Sequence, residues 1–199
     1  MIKIGITGGI ASGKSIAASY CESNGAYVFN ADRESKKHLK KSLKLQKKII
    51  QIFGKKIAPQ NKINLNLLAQ EAFKNKINIE ILNGIMWPEV FLLINKEYEK
   101  VNKLNKYSVF IVDAALIFEA NYKSFFDSTI LITASKKIRI DRAIKRRNIN
   151  LENIQNRISL QMTDKEKINL ADYVIKNEYS IENLYKKIDE IFKKIISVK

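Results

Sequence analysis

Short apolar runs along the chain are separated by longer segments in which apolar residues recur every three or four positions. The first run, residues 2–7, is rich in Ile and ends at Gly8 and Gly9, which predicts a buried strand followed by a tight turn. Similar runs predict four further strands, at residues 26–29, 109–112, 128–133 and 173–175. The runs at 109–112 and 128–133 are typical of central parallel strands, which are buried on both faces.

Helical periodicity fills most of the remaining chain. Helices are predicted at residues 14–23 and, near the end, at about 180–196. Between residue 31 and about 105 the pattern is helical and rich in lysine, with segments at 31–41, 43–53, 65–75, 77–86 and 88–103. A basic helix is predicted from Ser135 to Arg147 and another helix at 151–162. Thr163 and Glu166 have the spacing of a capping box, which predicts a third helix there.

Strands that alternate with covering helices predict a three-layer α/β domain around a mostly parallel sheet. We expect one domain, with a core at about 1–31, 106–137 and 171–199, a helical insertion at about 32–105 and a helical lid at about 138–170. Ligands of such sheets bind beyond the carboxyl ends of the strands. The polar residues that follow the first three strands, namely residues 8–15, Asp32 and Asp113, are therefore predicted to lie at that edge.

The strong positive charge, formally +16 at pH 7, changes this picture little. Lysines are scattered from Lys3 to Lys199 among many Ile and Asn residues, which indicates a bias in residue usage rather than a nucleic-acid patch. Attraction of an anionic ligand remains an alternative. No apolar run approaches the roughly 20 residues that span a bilayer. We therefore expect a cytoplasmic protein with no nucleic-acid and no membrane partner. The single Cys21 and single His38 make no zinc set and are interpreted as structural or incidental.

The most specific motif fits the pattern G-x-x-x-x-G-K-[ST] and lies between a predicted strand and a predicted helix, as a P-loop requires. It consists of Gly8, Gly9, Ile10, Ala11, Ser12, Gly13, Lys14 and Ser15. The glycines allow backbone N–H groups to turn toward phosphate, Lys14 places a charge on the β- and γ-phosphates, and the Ser15 hydroxyl is available to Mg²⁺. The motif predicts that ATP binds here with Mg²⁺. The alternative is a glycine-rich turn that binds no nucleotide.

Four further residues are candidates for the chemistry of phosphoryl transfer. Asp113 ends a buried strand, where a carboxylate can serve Mg²⁺, although it could also cap a turn. Asp32 could accept a proton from an attacking hydroxyl or could cap the following helix. Arg142 and Arg146 lie one helical turn apart and could close over the triphosphate, or they could be ordinary surface arginines.

Several motifs together resemble those of dephospho-coenzyme A kinases, and the resemblance spans nearly the whole chain. The matching segments are Ile4 to Ser15, Asn30-Ala31-Asp32, Asp113 to Glu119, Arg157 with Gln161-Met162, and Ala171-Asp172 followed by Val174-Ile175 and Asn177. Three positions depart from the family pattern. Asn30 replaces an aspartate, Ala115 replaces a proline, and Trp87 stands before Pro88 where the family usually has histidine.

The resemblance implies a kinase that uses ATP and Mg²⁺ to phosphorylate the ribose 3′-hydroxyl of dephospho-CoA, the last step of coenzyme A synthesis. It implies that Asp32 is the base, that the insertion after it binds the CoA portion, and that the helices around Arg142 form the lid. We expect a monomer or a weak homo-oligomer. Two alternatives remain: another P-loop kinase of a nucleoside, nucleotide or small metabolite, and a nucleotide-gated or RNA-binding module.

Overall fold

A five-stranded parallel sheet forms the centre of the fold. The computed structural model describes residues 1–147 and 151–197, except for the side chains of residues 146, 147 and 153. The strand order across the sheet is β2-β3-β1-β4-β5, and each neighbouring pair is parallel. The strands are β1 (Ile2–Thr7), β2 (Tyr27–Asn30), β3 (Val109–Asp113), β4 (Ser128–Thr133) and β5 (Tyr173–Lys176).

The described chain divides into two compact units, which we call the sheet unit and the helical unit. The sheet unit comprises Met1–Asn30 and Glu97–Lys199. Its helices are α1 (Lys14–Ser23), α6 (Lys136–Arg147), α7 (Leu151–Ser159), α8 (Asp164–Leu170) and α9 (Ile181–Ser197). Apolar side chains of α1 and α9 pack against β1, β3, β4 and β5 in one core cluster. The predicted α/β fold with a parallel sheet is therefore confirmed.

The helical unit comprises Ala31–Lys96 and has a core of its own. Its helices are α2 (Ala31–Lys41), α3 (Leu43–Phe53), α4 (Leu65–Ala72) and the first part of α5 (Lys76–Lys103). The core includes Leu39 of α2, Ile49 of α3, Leu68 of α4 and Ile85 of α5. In α3 the core positions Leu45, Ile49 and Phe53 recur every four residues, so the amphipathic pattern of that helix accounts for its buried face.

The prediction of two separate helices at 77–86 and 88–103 was wrong, because α5 continues through Pro88. A proline inside a helix removes one backbone hydrogen bond and costs about 3 kcal/mol. Ile85 before Pro88 and Ile94 after it are both buried, and this packing on either side stabilises a continuous helix. By length and composition alone α5 also meets the criterion for a membrane-spanning helix, contrary to our expectation that no such segment exists. One such helix is weak evidence for a membrane span, since the core helices of water-soluble proteins meet the same criterion.

Two predicted helix ends were too late. The helix predicted to residue 75 ends at Ala72, because the Asn75 side chain accepts a hydrogen bond from the Asn78 N–H at 2.8 Å at the start of α5. The helix predicted to residue 162 ends at Ser159, and the Met162 N–H instead donates to Glu119 Oε1 at 3.1 Å. The capping box of Thr163 and Glu166 was predicted correctly.

Candidate active site

The predicted P-loop joins β1 to α1 and has a backbone that requires glycine at two points. A Cβ on Gly8 would lie 2.2 Å from the carbonyl oxygen of Ile132, and Gly13 has φ +102°. The Gly13 carbonyl accepts hydrogen bonds from the N–H groups of Ile16 and Ala17, which starts α1 directly after the loop. The first N–H groups of a helix lack partners within the helix, so they are available to an anion at this point.

Two carbonyl groups of the loop accept hydrogen bonds from side chains in distant parts of the chain. Asn177, which follows β5, donates from Nδ2 to the carbonyl oxygen of Ser12 at 2.8 Å. Arg139 on α6 donates from Nε to the carbonyl oxygen of Ile10 at 3.1 Å. The buried hydroxyl of Ser12 has no partner among the described residues, and a bound anion or water would satisfy it.

Lys14 and Asp113 form a buried ion pair beneath the loop. Lys14 Nζ donates to Asp113 Oδ1, and the two side chains are 10% and 1% exposed. The other carboxylate oxygen of Asp113 accepts a hydrogen bond from Asn30 Nδ2 at 2.7 Å, across neighbouring strands. An ionised aspartate at position 30 could not donate this hydrogen bond, whereas the Asn30 amide can donate to the Asp113 carboxylate. The structure thus brings together two of the predicted site residues.

The donor chemistry at this point fits Mg²⁺ held jointly with a nucleotide. Ser15 is exposed on the first turn of α1, and the Asp113 carboxylate, which Lys14 and Asn30 already bind, lies at the end of the strand adjacent to β1. Within residues 1–147 and 151–197, no group of three or more His, Cys, Asp or Glu side chains could hold a metal ion. Mg²⁺ commonly binds through one or two protein oxygens together with substrate phosphates rather than in a protein cage.

Arg142 is anchored to the loop indirectly. Its Nη1 donates to the backbone carbonyl of Asn177 at 2.9 Å, so the guanidinium adjoins the residue that supports Ser12. The side chain of Arg146 lies outside the described part of the structure. Contact of either arginine with a nucleotide stays a prediction.

The helical unit carries the remaining predicted residue. Asp32 is an exposed residue in the first turn of α2, two positions after Asn30 along the chain. Its carboxylate also interacts favourably with the positive end of the helix dipole there. Trp87 lies half-buried in α5. The single histidine, His38 of α2, has Nε2 2.8 Å from Glu89 Oε2 of α5. This pair is local to the helical unit.

Sequence reasoning missed the supporting residues of the loop. Arg139 was not singled out, and Asn177 was named only as part of a motif.

A separate buried ion pair lies outside the loop. Glu119 pairs with the fully buried Lys167 at 2.7 Å, and Lys167 also donates to the carbonyl oxygen of Ala115. The signal for Glu119 and Asn177 was the motif resemblance, whereas Arg139 gave none beyond its place on a basic helix.

Comparison with known proteins decides the family. A family model described as dephospho-CoA kinase matches residues 2–183. The chain belongs to the dephospho-CoA kinase family. It is 33% identical over 192 residues to a dephospho-CoA kinase of Chlamydia caviae, covering 96% of this chain and 95% of that protein. It is 36% identical over 187 residues to a dephospho-CoA kinase of Fusobacterium nucleatum, covering 94% of each.

Solved structures agree with this assignment to the dephospho-CoA kinase family. A dephospho-CoA kinase from Campylobacter jejuni is 26% identical, with a TM-score of 0.68 over 97% of this chain and 96% of that one. A protein from Thermus thermophilus reaches a TM-score of 0.81 at 24% identity over 97% of both chains, which shows the same fold. A shikimate kinase from Aquifex aeolicus, at 20% identity and a TM-score of 0.52, shares the fold alone.

Proposed function

We propose that this protein transfers the γ-phosphoryl group of ATP to the ribose 3′-hydroxyl of dephospho-CoA, giving coenzyme A and ADP. The observation that carries the proposal is the buried pair of Lys14 and Asp113 beneath a P-loop, in a chain that matches the dephospho-CoA kinase family over residues 2–183. The loop supplies phosphate-binding N–H groups, and the family supplies the acceptor. Neither feature alone would specify the reaction.

In the proposed reaction, the ribose 3′-oxygen forms a bond to the γ-phosphorus while the bond from that phosphorus to the β,γ-bridging oxygen breaks. The proton of the hydroxyl passes to the Asp32 carboxylate, and ADP leaves. Lys14 and the N–H groups of residues 8–15 hold the phosphates. Ser15 and Asp113 would hold Mg²⁺, which neutralises charge on the β- and γ-phosphate oxygens when it is bound.

The other assignments follow the family resemblance. Arg142 and Arg146 stabilise the transferring phosphoryl group from a lid formed by residues 138–170, and residues 32–105 contribute the CoA-binding part. The protein acts in the cytoplasm as a monomer or weak homo-oligomer, with no nucleic-acid or membrane partner. The lysine-rich surface attracts anionic substrates without binding nucleic acid.

The proposal is tested by coupled ADP release with ATP and Mg²⁺ and a panel of acceptors. Dephospho-CoA should support turnover, whereas adenosine, cytidine and shikimate should give only background. Release with adenosine or shikimate and none with dephospho-CoA would overturn the acceptor assignment. The position of the new phosphate is checked by phosphorus NMR of the product.

The role of Asp32 is tested by Asp32→Asn. General-base contributions are typically about 10²–10⁴-fold, so kcat should fall by about that factor while ATP affinity stays within about threefold. Asp189→Asn is the matched control, because Asp189 is an exposed aspartate that contacts Tyr20 in the sheet unit. Near wild-type turnover of Asp32→Asn would refute the base assignment.

A further inference from the structure

Arg139 is a buried cation beside the P-loop that the proposed mechanism does not use. It lies one turn into α6 and is 3% exposed, although arginine is rarely buried without partners. Its guanidinium makes three hydrogen bonds: Nε to the carbonyl oxygen of Ile10, and Nη1 to both carboxylate oxygens of Asp164 at 2.7 and 2.6 Å. A side chain from α6 thus joins the middle of the loop to the start of α8.

The bond to Ile10 matters because of the direction in which a P-loop peptide must face. Where the N–H groups of a loop point at phosphate, the carbonyl groups of the same peptides point away and need donors of their own. Arg139 provides such a donor to Ile10, as Asn177 does to Ser12. A charged donor is stronger than a neutral one, so Arg139 resists rotation of the peptide between Ile10 and Ala11.

Asp164 fixes the guanidinium in turn. It is the first residue of α8 and follows Thr163, whose capping box defines where that helix begins. Its side chain is 37% exposed, whereas that of Arg139 is 4% exposed. The backbone of Gly9 packs against the same guanidinium, and a Cβ added there would lie 2.5 Å from Nη2. The guanidinium therefore lies between the start of α8 on one side and the loop on the other.

We propose that Arg139 is a positioning residue for ATP: it holds the Ile10 peptide in the phosphate-binding orientation, and Asp164 holds Arg139. The proposal rests on the proposed function, because it takes ATP to be the ligand of this loop. Arg139 acts through the loop backbone and not by contact with the reacting atoms. Its loss should therefore weaken nucleotide binding more than it slows phosphoryl transfer.

The first test uses Arg139→Lys and Asp164→Asn in the full-length protein. Lysine keeps the charge but cannot donate to Ile10 and to both oxygens of Asp164 in a planar fork. Dissociation constants for ATP and ADP, measured by isothermal titration calorimetry without acceptor, should rise about tenfold for Arg139→Lys, the effect of one charged hydrogen bond. The rise should be smaller for Asp164→Asn. kcat at saturating ATP and the KM for dephospho-CoA should change less than about threefold.

The matched control is Asp172→Asn. Asp172 has a side chain 38% exposed and pairs with Lys123 at 2.9 Å, so it resembles Asp164 in exposure and pairing but lies immediately before β5. It should lower thermal stability without changing the ATP dissociation constant. This control separates a loss of stability from a loss of loop position.

A second test uses Gly9→Ala, since Gly9 does not have a positive φ and alanine is free of backbone strain there. The new methyl group would displace the guanidinium, so this variant should weaken ATP binding about as much as Arg139→Ala does. In the double variant Gly9→Ala with Arg139→Ala, the methyl group should raise the ATP dissociation constant less than about twofold further, because the guanidinium that it would displace is absent.

The outcomes separate the two proposals. Wild-type affinity for ATP in a folded Arg139→Lys protein, or fully additive effects of the Gly9 and Arg139 substitutions, would overturn the positioning role and leave the kinase proposal standing. Absence of ATP binding by the wild-type protein would overturn both. A tenfold loss in ATP affinity with kcat retained, together with the less-than-additive double variant, supports the role of Arg139.

Discussion

Removal of Lys14 should destabilise the nucleotide-free protein, apart from its effect on catalysis. Lys14→Met replaces the ammonium with an unbranched apolar side chain of similar length. Asp113 would keep its hydrogen bond from Asn30 but lose its cation while remaining 1% exposed. A carboxylate buried to this degree without a counter-charge costs the folded state free energy.

The expected size of the effect follows from the burial of the pair. Removing one partner of a buried ion pair costs about 3–5 kcal/mol, and we take about 3 kcal/mol because Lys14 is 10% exposed and Asp113 keeps one hydrogen bond. For a chain of this size the melting temperature changes by about 2–4 °C per kcal/mol, which gives a fall of about 6–12 °C. Lys14→Met with Asp113→Asn removes both charges and should recover about half of that loss or more.

The assay is thermal unfolding at pH 7.5 without nucleotide, followed by circular dichroism and repeated in urea. Lys100→Met is the control, because Lys100 pairs with Glu97 at an exposed site in the same unit, where the side chains are 67% and 23% exposed. That variant should change the free energy of unfolding by less than about 0.5 kcal/mol. If Lys14→Met melts within 2 °C of the wild type, by the same conversion, or if the double variant is the less stable one, the reasoning is refuted.

Two further predictions concern titratable groups away from the loop. Burial raises the pKa of the Cys21 thiol to about 12, so Cys21 should resist Ellman's reagent at pH 8 until the protein is unfolded in urea; rapid reaction of the native protein would contradict this. Burial alone would raise the pKa of Asp172, but hydrogen bonds from Thr129 and Lys123 outweigh it and lower the pKa. Its stabilising contribution is therefore present above about pH 4 and is lost as the pH falls through its folded-state pKa. The stability difference between Asp172→Asn and the wild type should accordingly shrink below about pH 4; a constant difference from pH 7 to pH 3 would argue against it.

The sheet could be predicted from sequence because its strands are short apolar runs with polar residues at their carboxyl ends. The runs at 2–7 and 128–133 agree with β1 and β4 at both ends. The run at 109–112 stopped one residue short, since Asp113 reads as a turn residue until its partner Asn30 is placed on the next strand. Local pattern defines the strand, but pairing defines where it ends.

The supports of the candidate site could not be predicted in the same way. Arg139 and Ile10 are far apart in sequence, and the sequence does not distinguish Arg139 from the other arginines of the same basic helix as the residue that makes this contact. Pro88 led to the wrong prediction of a helix break, because proline disfavours helix locally and the sequence gives no sign of the packing that overrides this preference. Tertiary contacts decided both features.

The order of strands in the sheet also has a consequence for synthesis on the ribosome. β1 is the first strand to be made, yet both of its neighbours come late: Ile2 pairs with Val109, and Ile4 with Ser128. At about 5–20 residues per second the strand waits on the order of 10 s for its second neighbour, and such distant pairings are intrinsically slow to form. A nascent chain stalled before residue 128 therefore carries the whole phosphate motif while the strand in front of it still has one open edge.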